Sequence, residues 1–148
     1  IMQPGRGDFE LLKWRATALR SLFPTANFRC AIYSASGWYT GSELYKESYH
    51  LVWPDIIVNK DRAVKARLAT LEFFERESCR PDHPLQHILQ RAQQFNEFNS
   101  WEHVFDATTT RPKIGLRMPF CDKRSMLPTR EWRDEHRPVE PVVEVTFE

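Results

Sequence analysis

The amino-acid sequence predicts a fold of the α+β class, because segments with helical periodicity alternate along the chain with segments rich in β-forming residues. The chain has 148 residues, of which 41% are hydrophobic and 28% are charged, so it can bury one core. It shows no internal repeat and no low-complexity linker. A single domain, or part of one, over residues 1–148 is therefore expected, with α/β as the alternative class.

Three helices are predicted from apolar residues at spacings of three and four. The first begins near Asp8 and stops before Pro24. The second is capped by Asn59 or Asp61, and the third follows a proline-containing break and ends near Phe98. The apolar positions are Leu11, Leu12, Ala18, Leu19 and Leu22 in the first helix, Val64, Leu68, Leu71 and Phe74 in the second, and Leu85, Ile88, Leu89 and Ala92 in the third.

Strands are predicted where β-branched and aromatic residues gather between turn signals. The predicted strands are 28–36, 49–53, 103–105, 116–120 and 142–147. The third ends directly at Asp106, and we expect it to form a hairpin with the fourth. The segment 123–137 is charged, and no element is predicted for it.

The overall charge and the cysteines limit the possible classes of protein. A net charge of +1 argues neither for nor against a nucleic-acid partner, since phosphate attraction depends on where Lys and Arg cluster. The three cysteines, Cys30, Cys79 and Cys121, form no Cys-x-x-Cys pair, so neither a disulfide framework nor a zinc site is predicted. No apolar stretch approaches the roughly 18 residues of a membrane span. We expect an intracellular protein without a membrane partner, with nucleus, mitochondrion and viral replication site all open.

A row of polar residues precedes and enters the second predicted strand. Lys46, Ser48 and His50, which we call the histidine row, would share one face of an extended segment because side chains alternate with a period of two. An amine, a hydroxyl and an imidazole on one face are suited to holding phosphates. The alternative is a solvated polar face at the edge of a sheet.

A second group of polar residues follows later in the chain. Asp106 lies at the end of a predicted strand, and Arg117 and Lys123 lie in and just after the other arm of the predicted hairpin. Groups at strand ends often converge on one side of a sheet. A carboxylate, two cations and the histidine row together suggest a site for a metal ion and a triphosphate.

This order of residues resembles the primase-polymerase branch of the archaeo-eukaryotic primases. The resemblance covers about 32–123 and runs from Lys-x-Ser-x-His into an apolar strand, then through two helices to a strand that ends in an acid. An Arg follows eleven residues after the acid, and a Lys follows six residues later. The resemblance implies the core fold of that family, a mixed sheet flanked by helices, whose later α/β unit is similar to an RNA-recognition motif.

The resemblance also implies a function, DNA-templated nucleotidyl transfer from nucleoside triphosphates. The histidine row would contact the phosphates of the incoming nucleotide, with His50 among the catalytic residues. Asp106 would be a catalytic ligand of Mg²⁺ or Mn²⁺, and Arg117 and Lys123 would hold the triphosphate. Template DNA and nucleoside triphosphates are the implied partners, with a helicase domain or subunit as a further one.

The chain departs from the family at the first acidic motif, an Asp-x-Asp or Asp-x-Glu after an apolar strand. The candidate here is Asp8 with Glu10, but it begins a predicted helix, where capping and the helix dipole explain acids. We therefore expect the metal-binding pair to lie upstream, with Asp8 and Glu10 as the alternative pair. In the first case the domain is incomplete at its N-terminus and does not catalyse by itself. A non-catalytic nucleotide- or nucleic-acid-binding domain of the same fold, and a structural domain with coincidental spacing, stay open.

Overall fold

The computed structural model describes residues 6–38, 44–111 and 116–148, with the backbone alone for residues 6–8. In these residues the helices are α1 (Arg6–Arg20), α2 (Lys60–Ser78), α3 (Pro84–Phe95) and α4 (Trp101–Val104), with one 3₁₀ helix (Ala107–Thr110). The strands are β1 (Arg29–Ser34), β2 (Gly37–Trp38), β3 (Tyr45–Lys46), β4 (Tyr49–Val52), β5 (Arg124–Met126), β6 (Trp132–Asp134) and β7 (Glu140–Thr146). All strand pairs among them are antiparallel, so the predicted α+β class is confirmed.

The described residues divide into two compact units. The sheet unit comprises residues 29–38, 44–54 and 116–146, and the helical unit comprises residues 6–28, 55–111 and 147–148. Each unit is therefore assembled from segments that are distant in the sequence. The single domain expected over residues 1–148 stays a prediction.

A three-stranded sheet with the order β4-β1-β7 forms the centre of the sheet unit. The central strand β1 alternates in burial, as Cys30 and Ile32 are almost completely buried while their neighbours are exposed or half-buried. The strands β1, β4 and β7 confirm three of the predicted strands. Because β4 pairs with β1, His50 lies opposite Tyr33.

The helical unit is built around an aromatic core. Phe74 is completely buried and meets Trp101 and Phe105 edge-on, with ring centroids 5.0 and 4.7 Å away. The indole N–H of Trp101 donates to Ser78 Oγ at 3.1 Å, so its burial leaves that donor satisfied. The helices α1 and α3 contribute further buried residues, among them Leu85.

Capping side chains explain where two of the predicted helices begin. Asn59 Oδ1 accepts the amide N–H of Arg62 at 2.9 Å, which confirms the first of the two predicted caps of α2. His83 Nδ1 accepts the amide N–H of Leu85 at 3.2 Å at the start of α3. The helix α3 ends at Phe95, slightly earlier than predicted.

The predicted apolar face of α2 is buried only in part, since Phe74 is completely buried but two other predicted positions are not. Val64 and Leu68 are 37% and 54% exposed, although both carried the prediction of the helix. The buried residues instead include Thr70 and Glu77. The Thr70 hydroxyl donates to the carbonyl one turn earlier at 2.7 Å, and the Glu77 carboxylate lies 3.0 Å from Arg80. Polar groups with such partners can be buried, and a count of apolar residues does not register them.

The prediction that 103–105 and 116–120 form a hairpin is wrong, because neither segment is a strand. Residues 101–104 form the helix α4, so Asp106 follows a helix and not a strand. The Ser100 hydroxyl accepts the amide N–H of His103 and caps this helix, while its first residue, Trp101, is anchored in the core. Residues 116–120 form no strand, and the hairpin lies later, in β5 and β6.

Candidate functional site

His50 contributes a half-buried imidazole to the sheet unit. Its Nδ1 atom is buried and makes no hydrogen bond with the part of the chain that the structure describes. Burial lowers the pKa of His50 below its ordinary value, and the positive charge of Arg117 lowers it further. The ring is therefore mainly neutral near pH 7. Its buried Nδ1 lacks a hydrogen-bond partner among the described residues.

Arg117 lies close enough to His50 for its charge to act on the imidazole. Its Nη1 donates to the carbonyl of Arg137 at 2.7 Å and, more weakly, to that of Cys121 at 3.4 Å. Within the described residues these bonds use Nη1 alone, so Nε and Nη2 keep their donors for another acceptor. Burial lowers the pKa of Arg117, and the neighbouring cation of Arg137 lowers it further, against smaller opposing effects. The structure thus brings together two of the residues predicted for the site.

Arg137 is a further cation in the sheet unit, and no sequence pattern distinguished it from the other arginines. The residue is 2% exposed, and its charge acts on Arg117. A Cβ atom added to Gly37 would lie 2.3 Å from Arg137 Cγ and 2.7 Å from its Cδ. The side chain of Arg137 therefore passes so close to β2 that only glycine fits at that position.

The Asp122 carboxylate organises the backbone around these cations. Its two oxygens accept three backbone amides, those of Lys123, His136 and Arg137, at 2.7, 2.9 and 2.6 Å. Burial raises the pKa of Asp122, but the three hydrogen bonds outweigh that effect and hold the pKa below its ordinary value. Lys123, a residue of the predicted site, is half-buried and also lies in the sheet unit. The same carboxylate thus fixes the backbone of Lys123 and Arg137.

The histidine row is divided between two short strands and the residues between them, although one shared face of an extended segment was expected. Lys46 ends β3 and pairs with Gly37, whereas Ser48 lies between β3 and β4. The amide of Ser48 donates to Ser36 Oγ at 2.9 Å, and its carbonyl accepts the amide of Ala35 at 2.8 Å. These bonds interrupt the regular alternation on which the prediction of one shared face depended. All three residues of the row lie in the sheet unit.

The predicted metal ligands belong to the helical unit. Asp106 is exposed, and its Oδ1 accepts the amide N–H of Thr108 at 2.8 Å at the start of the 3₁₀ helix. Glu10 lies within α1, and its Oε1 accepts the indole N–H of Trp14 at 3.0 Å. The backbone of Asp8 belongs to α1, but its side chain lies outside the described residues. Asp106 and Glu10 thus both have partners that serve the local structure.

A site for divalent metal would need several oxygen ligands close together. Among residues 6–38, 44–111 and 116–148, no three His, Cys, Asp or Glu side chains form a group that could hold a metal ion. Asp106 could supply one ligand, since carboxylate oxygens are ligands that these ions prefer. The described residues do not by themselves provide the rest, so binding of Mg²⁺ or Mn²⁺ stays a prediction.

Comparisons with protein-family models, with curated proteins and with solved structures gave no match to this chain. Of the helices in the described part, none is long and apolar enough to span a membrane.

Proposed function

We propose that this chain is part of the catalytic core of a DNA primase/polymerase and that its sheet unit binds the phosphates of a nucleoside triphosphate. The observation that carries the proposal is the buried Nδ1 of His50, which makes no hydrogen bond with the described residues, on an imidazole that also experiences the charge of Arg117. The resemblance assigns both residues to phosphate contacts. They come from distant segments of the chain, so their proximity in the fold supports that assignment independently of the order of motifs.

A phosphate group matches the chemistry of these two side chains. A buried polar nitrogen without a hydrogen bond costs roughly 1–3 kcal/mol, and a phosphate oxygen that accepts a hydrogen bond from His50 Nδ1–H would remove that cost. The neutral imidazole can carry its proton on Nδ1 for this purpose. The remaining donors of Arg117 can form charge-assisted hydrogen bonds with the same phosphate group.

The proposed reaction is the transfer of a nucleotide onto a DNA-templated primer. The 3′-hydroxyl of the primer attacks the α-phosphate, the bond to the β-phosphate breaks, and pyrophosphate leaves. The cations of the sheet unit would stabilise the charge that develops on the phosphates. Asp106 would provide one ligand for Mg²⁺ or Mn²⁺, which stabilise the attacking and leaving oxygens when bound. Template DNA and a helicase partner are proposed from the resemblance alone.

A primer-extension assay tests the proposed activity in a longer protein that supplies the missing acids. Substitution Asp106→Ala is expected to abolish extension, because two metal ions cannot be held without this carboxylate. The matched control is Glu102→Ala, which removes an exposed acid of α4 and should leave extension unchanged. Extension that survives Asp106→Ala, or that is absent although the acids are supplied, would contradict the polymerase proposal.

A non-catalytic nucleotide-binding domain is the second candidate. The capping bond from the Thr108 amide to Asp106 favours it, because that bond gives the carboxylate a structural role. In this case nucleotide binding would survive Asp106→Ala with little loss but would weaken when Lys46, His50 or Arg117 is replaced. A purely structural domain would bind no triphosphate at all.

A further inference from the structure

A pocket in the helical unit lies between the end of α1 and the first two turns of α2. It has a volume of about 190 Å³ and is open to solvent. The amides of the two residues on the α1 side both donate to the carbonyl of Leu19 at 2.9 Å, so their backbone is fixed. The residues that line the pocket are Leu22, Phe23, Arg62, Lys65 and Ala66.

Both polar side chains that line the pocket are cations. Arg62 and Lys65 are exposed, and among the described residues no carboxylate forms an ion pair with either of them. Asp61, the nearest acid in the sequence, does not line the pocket. Residues three positions apart on a helix are neighbours, with roughly 5–6 Å between their Cβ atoms. The pocket thus presents two adjacent cations that a ligand can reach.

The size and the lining of the pocket limit the class of its ligand. Sites that enclose a whole small molecule usually have volumes of roughly 300–1,000 Å³, so this pocket suits one group of a larger molecule. The apolar lining favours a flat apolar group, and the aromatic Phe23 is a side chain on which a base can stack. The two cations favour anionic groups beside it. A single-stranded nucleic acid combines these features, because each base is attached to a chain of phosphates.

We propose that this pocket receives one base of the single-stranded template while Arg62 and Lys65 contact the adjoining phosphates. The inference rests on the proposed function, which requires template DNA but assigns no residue to it. Contacts to phosphates and to the face of a base carry no sequence information. A polymerase must accept any template sequence, and this mode of binding meets that requirement.

The phosphate contacts are tested by fluorescence anisotropy with a labelled single-stranded oligothymidylate. We expect Arg62→Gln/Lys65→Gln to weaken binding to this chain by roughly tenfold or more. A plot of the logarithm of the association constant against that of the salt concentration should become shallower by about 1.4, since each phosphate contact on a single strand contributes about 0.7. The matched control is Lys13→Gln/Arg91→Gln, which removes one lysine and one arginine that are exposed in the same unit but outside the pocket. Its affinity and slope should stay close to those of the unmodified chain.

The base contact is tested separately from the phosphate contacts. Oligothymidylate should bind roughly tenfold more tightly than a strand of the same length that lacks bases, because only the former can stack in the pocket. Phe23→Leu should reduce this preference and leave the salt dependence unchanged. Phe23 is half-buried, so the melting temperature of the variant is measured alongside. The exposed Arg62 and Lys65 provide a test that does not depend on its folding.

An equal loss of affinity in the two double variants, or equal binding of the strands with and without bases, overturns the inference. Titration of the unmodified chain with a nucleoside triphosphate separates this result from a failure of the proposed function. Binding of the triphosphate without binding of the single strand overturns the inference alone. Binding of the single strand without binding of the triphosphate overturns the proposed function, and binding of neither overturns both.

Discussion

Replacing Arg117 by alanine is expected to weaken the binding of a nucleoside triphosphate to this chain by roughly tenfold to hundredfold. A hydrogen bond to a charged group contributes about 1.5–3 kcal/mol, and each 1.4 kcal/mol corresponds to about a factor of ten in the dissociation constant. Arg117 is half-buried, so bulk water weakens its interactions less than those of an exposed arginine. A fluorescence titration with a labelled nucleoside triphosphate measures the change.

The control for this substitution is Arg124→Ala in the same unit. Arg124 is exposed and paired with Asp134, so its removal deletes an arginine without affecting the cluster at His50. Arg117 also bonds to the Arg137 carbonyl, and for that reason the melting temperature of Arg117→Ala must be measured alongside. If Arg117→Ala and Arg124→Ala bind the nucleoside triphosphate with equal affinity, Arg117 does not belong to the binding site.

Replacing Phe74 by alanine is expected to lower the free energy of unfolding by about 3–5 kcal/mol. Phe74 is completely buried, and its ring contacts those of Trp101 and Phe105. The substitution removes apolar area and edge-on aromatic contacts and leaves a cavity in the core of the helical unit. Urea unfolding of both proteins, followed by circular dichroism, gives the difference.

The matched control for Phe74→Ala lies on the same helix. Leu68 is 54% exposed, so Leu68→Ala should change the free energy of unfolding by only about 0.5 kcal/mol or less. This pair of variants also tests which face of α2 is buried. A loss from Leu68→Ala as large as that from Phe74→Ala would contradict the exposed position of Leu68.

Long elements with a clear period were predictable from the sequence. The helices α1, α2 and α3 and the strands β1, β4 and β7 all appear near their predicted positions. In α2 the period identified the helix and the buried Phe74 but not the whole buried face, because Thr70 and Glu77 are buried with polar partners. Both partners are local, but the burial of these two polar residues depends on the packing of α2 against the rest of the helical unit, which has no local signal.

Short segments were predicted wrongly for a different reason. Residues 103–105 look extended because His, Val and Phe occur together, but three residues cannot show a period. The cap at Ser100 and the burial of Trp101 stabilise a helix there instead. Both residues were visible in the sequence, and Ser100 as a helix cap was the signal that could have corrected the prediction.

The candidate site was predictable only in part. The order of motifs selected His50 and Arg117, and in the fold the charge of Arg117 acts on the His50 imidazole. Arg137 and Asp122 lie in or beside a charged stretch where nothing distinguishes a buried side chain from a solvated one. Gly37 was visible as a turn residue, but its close approach to Arg137 depends on the tertiary fold.

The central claim, that the buried nitrogen of His50 binds phosphate, can be tested by a titration followed by nuclear magnetic resonance. The ¹⁵N signals of the His50 ring are recorded at several pH values, with and without a nucleoside triphosphate. Burial and the charge of Arg117 lower the pKa of His50 in the free protein, whereas a bound phosphate anion favours the protonated ring. We expect a saturable shift of the Nδ1 signal and a rise in the pKa of His50. An Nδ1 signal and a pKa that stay unchanged at saturating nucleotide would contradict the account.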